Sequence, residues 1–248
     1  MQKQIGVVIV AAGESRRFIG EGVGAPSTLQ KKPFVSLAGR AVWIHSVEKF
    51  RRRDGVGQII VCVSPEDMSF VAETFAQEIE TFGVELVPGG AERYLSVANA
   101  LERLAPGAEY VAIHDAARPC VTAAELDVVF AKATATGAAI LAVPAYSSFK
   151  RSRKSGNDDV VDEPVSRVGL WEALTPQVFK RELIERAFRE RRQGTTPTDD
   201  AELVAALGVD VALVEGRRTN IKITRPDDLA LAQFFIERQE MESAFSKM

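Results

Sequence analysis

Continuous apolar runs alternate with amphipathic stretches over most of the chain. The first run, residues 5–10 (IGVVIV), is rich in β-branched residues, which is typical of a strand buried on both faces of a parallel sheet. Further strands are predicted at 58–63, 84–87, 110–114, 138–144 and 211–215. Helices are predicted at 41–50, 65–80, 93–104, 123–136, 180–192, 199–207 and 226–240. This strict alternation predicts an α/β fold with a mostly parallel central sheet and helices on both faces.

The alternation breaks between residues 146 and 175. Polar and basic residues there surround the turn sequence Ser155-Gly156-Asn157-Asp158, and short β-prone stretches lie on either side of it. The pattern predicts a protruding β-hairpin. Because an isolated two-stranded hairpin is only marginally stable, we expect this arm to pack on a second subunit and to make a homodimer.

Composition narrows the possible functions. The 248 residues include 31 Lys plus Arg against 34 Asp plus Glu, a net charge of −3, which argues against a dedicated nucleic-acid binder. Hydrophobic residues make up 46% of the chain, and its length suits one large domain over residues 1–248. No apolar run approaches the roughly 20 residues of a membrane span, and no signal peptide is visible. Cys62 and Cys120 lack metal-ligand companions, which favours a reducing, cytoplasmic setting.

Small and basic residues follow the first predicted strand. The segment Ala11-Ala12-Gly13 leads through Arg17 and a glycine-containing loop to Lys31-Lys32. Small residues let backbone N–H groups approach phosphates, and Arg and Lys add charge-assisted contacts. The pattern matches neither the G-x-G-x-x-G fingerprint nor the P-loop. A polyphosphate site is the favoured interpretation; a flexible surface loop with solvated charges is the alternative.

Two other strand ends carry candidate chemistry. Asp115 follows the fourth predicted strand, and one carboxylate combined with substrate phosphates suits Mg²⁺; its alternative role is a helix cap. The turn at Gly89-Gly90, with Ser96 nearby, is suited to close approach by a flat base. We interpret His114 and His45 as packed side chains, since a single imidazole in a strand or amphipathic helix more often packs than catalyses.

Six segments together resemble one family closely, the 2-C-methyl-D-erythritol 4-phosphate cytidylyltransferases of the non-mevalonate isoprenoid pathway. They are AAGESRRF (11–18), GGAERYLSV (89–97), HDAARP (114–119), GLWEALTPQ (169–177), TDDA (198–201) and VEGRRTNIKITRPDDLALA (214–232). The resemblance spans nearly the whole chain. It implies a Rossmann-like nucleotidyltransferase fold with a β-arm that makes a homodimer, CTP and a sugar-alcohol phosphate as substrates, and Mg²⁺ as cofactor.

The resemblance also implies roles for individual residues. The implied catalytic cations, which grip the triphosphate, are Arg17, Lys32 and Lys222. The implied nucleotide-binding residues are Ala11, Ala12, Gly13, Gly90, Ser96, Asp115 and Arg118, with Asp115 as the metal ligand. The implied acceptor-binding residues are Ser148, Arg167 and Thr175, with Arg167 donated by the partner's arm.

The chain departs from the family pattern at several positions. Lys31-Lys32-Pro33 stands where relatives have Pro-Lys-Gln, and the following residues favour Lys32 over Lys31 as the catalytic lysine. Ser147-Ser148 replaces Asp-Thr before Lys150, so a hydroxyl is kept and a carboxylate is lost. Ser15 stands where the family usually has a glycine, and Ala91 stands where many relatives have an acidic residue. A cytidylyltransferase for another polyol phosphate such as ribitol 5-phosphate, or an inactive CTP-binding regulator, therefore remains an alternative.

A phosphate acceptor fits a chain with only two histidines. The second pKa of a phosphomonoester is about 6, so at neutral pH the acceptor is already largely a dianion and needs no base. A nucleotide-sugar glycosyltransferase is disfavoured, because no D-x-D pair follows the fourth predicted strand.

Overall fold

The computed structural model describes residues 4–13, 18, 30–192 and 194–245. Within these residues the strands are Gln4–Val10 (β1), Ser36–Leu37 (β2), Arg40–Ala41 (β3), Val56–Val63 (β4), Val84–Pro88 (β5), Ala108–Asp115 (β6), Ala138–Pro144 (β7), Phe149–Ser155 (β8), Asp158–Val165 (β9), Trp171–Lys180 (β10) and Ala212–Glu215 (β11). The α-helices are Val42–Arg51 (α1), Met68–Thr74 (α2), Ala76–Phe82 (α3), Arg93–Leu101 (α4), Ala123–Thr136 (α5), Arg181–Glu190 (α6), Asp200–Ala205 (α7) and Asp227–Phe245 (α8).

Seven strands form the central sheet in the order β11-β7-β10-β6-β1-β4-β5. Neighbours pair in parallel except at β10, which is antiparallel to both β6 and β7. The predicted α/β fold with a mostly parallel sheet is confirmed. Val10 of β1 is in register with Cys62 of β4 and with Asp115 of β6. The carboxyl ends of three adjacent strands therefore meet at one edge, where ligands bind in open α/β sheets.

Both faces of the sheet are covered by helices. Along β1, Val7 and Ile9 join the core cluster that contains α1 and α5, while Val8 joins the cluster that contains α4, α6 and α7. A smaller cluster packs α8 against α1 through Ile223, Ile236 and their neighbours. A strand buried on both faces must be apolar at successive positions, which is why the first segment reads as a continuous hydrophobic run.

The prediction of strict strand–helix alternation was wrong at β10. Residues 171–175 were assigned to the protruding arm, yet Trp171–Lys180 is a strand of the main sheet. Its sequence hides this, because Thr175, Pro176 and Gln177 interrupt the apolar pattern even though Thr175 and Gln177 are buried. The polar side chains are tolerated inside because they are hydrogen-bonded, to Asp115 and Asp199 among others.

The predicted helix at 65–80 was also wrong as a single element. A 3₁₀ turn, Pro65–Asp67, precedes α2, and Phe75 separates α2 from α3 with a non-helical backbone. The Phe75 ring packs edge-on against Trp43, with ring centroids 5.6 Å apart. Gly83 ends α3 as its C-cap, with a left-handed φ of 58°.

Residues 149–165 form the predicted hairpin. Strands β8 and β9 pair antiparallel around Gly156, whose φ is 63°. Every residue of β8 is exposed, and large apolar side chains in or near the arm are exposed as well, namely Tyr146, Phe149, Val161, Val168 and Trp171. Packing of the arm on a second subunit stays a prediction. Among the helices that the structure describes, none is long and apolar enough to cross a membrane.

Candidate active site

A cleft of about 590 Å³ opens at the carboxyl ends of β1, β5 and β6. It is lined by most of the residues that the sequence assigned to the nucleotide: Ala11, Ala12, Gly13, Gly90, Ser96 and Asp115. Two of the three predicted catalytic cations, Lys32 and Lys222, also line it. The third, Arg17, lies outside the described residues. Side chains that are far apart in sequence thus meet in one cavity of nucleotide size.

The Gly89-Gly90 turn is packed too closely for side chains. A Cβ on Gly89 would lie 2.3 Å from the Cβ of Ala12, and a Cβ on Gly90 would lie 2.4 Å from that of Leu95. The backbone N–H of Gly90 donates to the Ser96 hydroxyl at 3.0 Å, and Ser96 is buried. Ser96 therefore shapes this wall of the cleft, and at Gly90 the wall consists of backbone alone.

Asp115 is the charged centre of the cleft. Its Oδ1 accepts from Arg93 Nε at 3.0 Å, and its Oδ2 accepts from Lys222 Nζ at 2.7 Å. The side chain of Arg118 lies 3.9 Å away. Burial alone would raise the pKa of Asp115, but the charges of Arg93, Lys222 and Arg118 outweigh it and hold the pKa far below its usual range. Asp115 is consequently ionised at neutral pH.

Sequence reasoning missed Arg93 as a functional residue. Its guanidinium bridges two carboxylates, because Nη1 donates to Asp200 Oδ2 at 2.7 Å while Nε binds Asp115. Burial would lower the pKa of Arg93, but the two carboxylates raise it instead. Asp200 is fully buried, and its Oδ1 has no hydrogen-bond partner. In the sequence, Arg93 and Asp200 are marked only by lying in the family-like segments GGAERYLSV and TDDA. The spacing of residues 93, 115 and 200 along the chain does not show that their side chains meet.

The structure separates the two adjacent lysines. Lys31 Nζ binds Asp67 Oδ2 at 2.5 Å and Glu66 Oε1 at 3.3 Å, and only 8% of the residue is exposed. Burial would lower the pKa of Lys31, but the hydrogen bond and charge of Asp67 raise it overall. Lys31 is thus committed to an internal ion pair, whereas Lys32 faces the cleft. This geometry favours Lys32 as the residue that meets phosphate.

Arg118 lies beneath the cleft. Its Nη1 donates to the Asn220 carbonyl at 2.9 Å, and only 8% of the residue is exposed. The amide of Asn220 donates to the Thr175 carbonyl at 3.0 Å, and the N–H of Ile223 donates to the Ala117 carbonyl at 2.8 Å. These bonds fix the loop that carries Lys222 against the end of β6. The placement favours a supporting role for Arg118 over direct contact with nucleotide.

The three predicted acceptor residues lie apart from one another. Ser148 and Arg167 are exposed in the arm segment, where Arg167 donates to the carbonyl of Tyr146. Thr175 is buried in β10, only 5% exposed, and its hydroxyl accepts from the Asp115 N–H at 3.1 Å. Within the part of the chain that the structure describes, the arm residues do not line the cleft.

Both histidines are packed, as predicted. His114 is fully buried, and its ring lies edge-on to Phe50 with centroids 5.1 Å apart. Burial lowers the pKa of His114 to about 3, so the ring is neutral in the working range. His45 is 2% exposed and hydrogen-bonds the Leu37 carbonyl at 2.7 Å. The interpretation of His114 as a packed side chain was incomplete, however. Both of its ring nitrogens also have polar partners.

The cleft fits a magnesium ion by donor chemistry. Mg²⁺ prefers oxygen ligands and usually takes one or two carboxylates together with substrate phosphates. Asp115 supplies an ionised carboxylate in the cleft wall beside cations that suit phosphate. Oδ1 of Asp115 binds Arg93 and Oδ2 binds Lys222, so a metal ion would bind an oxygen beside one of these partners or displace that partner.

A mostly parallel sheet with a glycine turn, a carboxylate and converging cations at one edge defines a nucleotidyltransferase of Rossmann-like fold. The family model described as 2-C-methyl-D-erythritol 4-phosphate cytidylyltransferase matches residues 5–238. The chain belongs to this family.

Individual relatives agree with that assignment. The chain is 38% identical to the 2-C-methyl-D-erythritol 4-phosphate cytidylyltransferase of Solibacter usitatus over 98% of this chain and 100% of that protein. It is 40% identical to the protein of the same name from Aeromonas hydrophila over 94% of this chain and 89% of that one. The crystal structure of the Thermus thermophilus protein of that name aligns with a TM-score of 0.72 and 30% identity, covering 93% of this chain and 98% of that chain.

Proposed function

We propose that this enzyme transfers a cytidylyl group from CTP to 2-C-methyl-D-erythritol 4-phosphate. An oxygen of the acceptor phosphate attacks the α-phosphorus of CTP, the bond to the β-phosphate oxygen breaks, and pyrophosphate leaves. The product is 4-diphosphocytidyl-2-C-methyl-D-erythritol. The observation that carries the proposal is the convergence of Lys32, Arg93 and Lys222 around Asp115 in one cleft.

The chemistry requires alignment and charge stabilisation rather than a base. The acceptor phosphate is already a dianion, so its approach to CTP brings two anions together. Lys32 and Lys222, with Arg17 by family resemblance, neutralise the phosphate oxygens and the charge that develops on pyrophosphate. Arg93 is tied to two carboxylates and holds Asp115 in place. The neutral ring of His114 fits this account, because no proton must be taken.

Asp115 is proposed as the protein ligand for Mg²⁺. The ion, when bound, withdraws electron density from the phosphate oxygens and orients the triphosphate. The low pKa of Asp115 supports this role, because a carboxylate that is ionised at neutral pH can bind a cation. The cytosine and ribose are assigned to the wall formed by Ala11, Ala12, Gly13, Gly90 and Ser96.

The acceptor side is proposed to be completed by a second copy of the chain. Arg167 and Ser148 lie in the exposed arm segment of their own subunit, and exposed apolar side chains such as Val168 and Trp171 are available to pack on a partner. We assign Arg167, donated by the partner's arm, to the acceptor phosphate, with Ser148 beside the polyol. Thr175, which the resemblance also implies on the acceptor side, is buried in β10, and its hydroxyl accepts from the Asp115 N–H, which supports an indirect role. The enzyme is proposed to work in the cytoplasm, which the two buried, unpaired cysteines support.

Pyrophosphate release tests the function. Purified protein with CTP and Mg²⁺ is given either 2-C-methyl-D-erythritol 4-phosphate or ribitol 5-phosphate. We expect turnover with the first acceptor only. Turnover with the second alone contradicts the acceptor assignment and keeps the mechanism. CTP binding without release in either reaction points instead to the inactive regulator.

Mixed dimers test the donation of Arg167 by the partner. In a dimer of one Lys222→Ala and one Arg167→Ala subunit, the site with Lys222 receives Arg167 only if the arm acts across the interface. We expect each variant alone to be nearly inactive and the mixed dimer to regain activity, up to one intact site in two. If mixing restores nothing although mixed dimers form, Arg167 acts in its own subunit or not at all.

A further inference from the structure

Asp115 N–H lies at a point where the sheet no longer supplies a partner. Strand β10 pairs with β6 only from Lys180 to Gln177, opposite Tyr110 to Ile113. On its other side, the pairing of β10 with β7 is irregular between Ala173 and Gln177. The N–H of Asp115 therefore has no backbone acceptor on β10. The Thr175 hydroxyl, 3.1 Å away, takes the place of that acceptor.

Thr175 in turn is linked to His114. Its Oγ1 lies 3.1 Å from His114 Nδ1, and on the other side of the ring Nε2 lies 3.1 Å from the carbonyl oxygen of Arg118. The Ser46 hydroxyl is a more distant neighbour, 3.4 Å from Nε2. The ring and the Thr175 hydroxyl are buried, so water does not compete for these contacts.

One arrangement of protons gives each of these contacts a donor and an acceptor. A carbonyl oxygen can only accept, so His114 Nε2 must carry the proton and donate it to Arg118. Nδ1 is then bare and must accept, and the proton it accepts is that of the Thr175 hydroxyl. Because Thr175 gives its proton to the ring, its oxygen keeps its lone pairs for the N–H of Asp115.

We propose that His114 is a positioning residue that, in this one tautomer, holds both ends of the turn from Asp115 to Arg118. The chain of bonds runs from the Asp115 N–H through Thr175 to the ring, and from the ring to the Arg118 carbonyl. The turn carries the carboxylate that the reaction uses at one end and, at the other, Arg118, which anchors the loop of Lys222. The kinetic consequences of this inference rest on the proposed function. The tautomer of His114 is independent of it.

The proton arrangement can be read directly by NMR of the wild-type protein labelled with ¹⁵N-histidine. His114 and His45 are the only histidines, and a His45→Gln variant assigns the two rings. We expect His114 to give the signals of a neutral ring with the proton on Nε2. A proton on Nδ1, or a charged ring at neutral pH, overturns the proposal whether or not the enzyme is a cytidylyltransferase.

Variants then separate the two ends of the ring. His114→Gln keeps an amide donor near the position of Nε2, His114→Asn keeps an amide acceptor near that of Nδ1, and His114→Phe keeps neither. We expect kcat to fall about 10-fold in the first two and about 100-fold in the third, since unpaired buried polar groups remain. Ser46→Ala, which removes only the distant contact with the same ring, should stay within about threefold of wild type.

The kinetic pattern of Thr175 variants distinguishes positioning from acceptor contact. Thr175→Val removes the hydroxyl and should lower kcat about 10-fold while the KM for the acceptor changes less than about threefold; Thr175→Ser should restore the rate. A raised acceptor KM with unchanged kcat overturns the proposal, because the hydroxyl then serves substrate. So does a folded His114→Phe variant with wild-type kcat. A wild-type protein inactive with both acceptors refutes the proposed function instead and leaves the NMR result to decide the tautomer.

Discussion

The cleft and the β8–β9 arm use charged side chains in opposite ways. Asp115 is 7% exposed and bound by cations on both oxygens, while the arm pairs Arg151–Glu163 and Lys154–Asp159 are more than half exposed on both sides. Water screens the arm pairs, so they contribute little, whereas buried charges interact strongly and are costly when left without any partner. The charges of the cleft therefore belong to an internal network, whereas the charges of the arm are exposed on the surface of the single chain.

The largest expected effect is on turnover. Lys32→Ala and Lys222→Ala should fold normally and lose about 10²- to 10³-fold in kcat, because each removes a cation from the developing phosphate charge. The measurement is steady-state pyrophosphate release, with circular dichroism to verify folding. Lys180→Ala, at an exposed lysine paired with Glu182, is the matched control and should leave kcat unchanged. Near-wild-type kcat in either cleft variant removes that lysine from the mechanism.

The next effect is on the free energy of unfolding, at Asp200, the fully buried partner of Arg93. Asp200→Asn removes the anion that anchors Arg93 and should cost about 3 kcal/mol of unfolding free energy, as expected when one partner of a buried pair is lost. Urea denaturation measures it. In the half-exposed pair of Glu85 with Arg103, Glu85→Gln should cost less than about 1 kcal/mol. Equal costs at the two positions contradict the distinction between buried and exposed charge.

A pH-dependent effect of intermediate size is expected at Lys49, a half-buried lysine outside the cleft. It donates to the Pro119 carbonyl and to Gln239, each at 2.8 Å, and burial lowers its pKa to about 8. Between about pH 8 and pH 10.5 the unfolded chain holds a proton that the folded protein has released, so stability rises with pH across that window.

Comparison with Lys49→Met isolates that contribution from other titrating groups. Relative to this variant, the wild type should gain on the order of 2 kcal/mol of unfolding free energy between about pH 7.5 and pH 10. Denaturant midpoints at a series of pH values measure the difference. A difference that is flat with pH means that the amine keeps its ordinary pKa inside the fold.

The smallest effect is expected in the arm. Arg151→Ala removes an exposed ion pair with Glu163 and should change the unfolding free energy by less than about 0.5 kcal/mol. The same urea titration checks it. A loss comparable to that of Asp200→Asn would show that the arm pair is buried in solution, which is the result expected only if a partner covers that part of the arm.

The parts of the candidate site that directly follow a strand were predictable from the sequence. Asp115 follows a β-branched, apolar run, and residues 11–13 follow another, so the rule that ligands bind at carboxyl ends placed both at one edge. Arg93 and Asp200 were not predictable in this way, because their meeting depends on how α4 and α7 pack on the sheet. For the two adjacent lysines the sequence already favoured Lys32, and the ion pair of Lys31 with Asp67, which forms only in three dimensions, supports that choice.

By itself the sequence determined most of the strands and helices and their order, because hydrophobic periodicity is a local property of the chain and survives without any tertiary contact. It also placed the hairpin turn at Gly156, since turn residues act locally. The tertiary structure alone decided that β10 enters the sheet against the direction of its neighbours. It also decided which cations reach Asp115 and which proton His114 keeps. Pairing partners, charges and hydrogen-bond directions depend on distances between residues far apart in the chain, and only folding sets those distances.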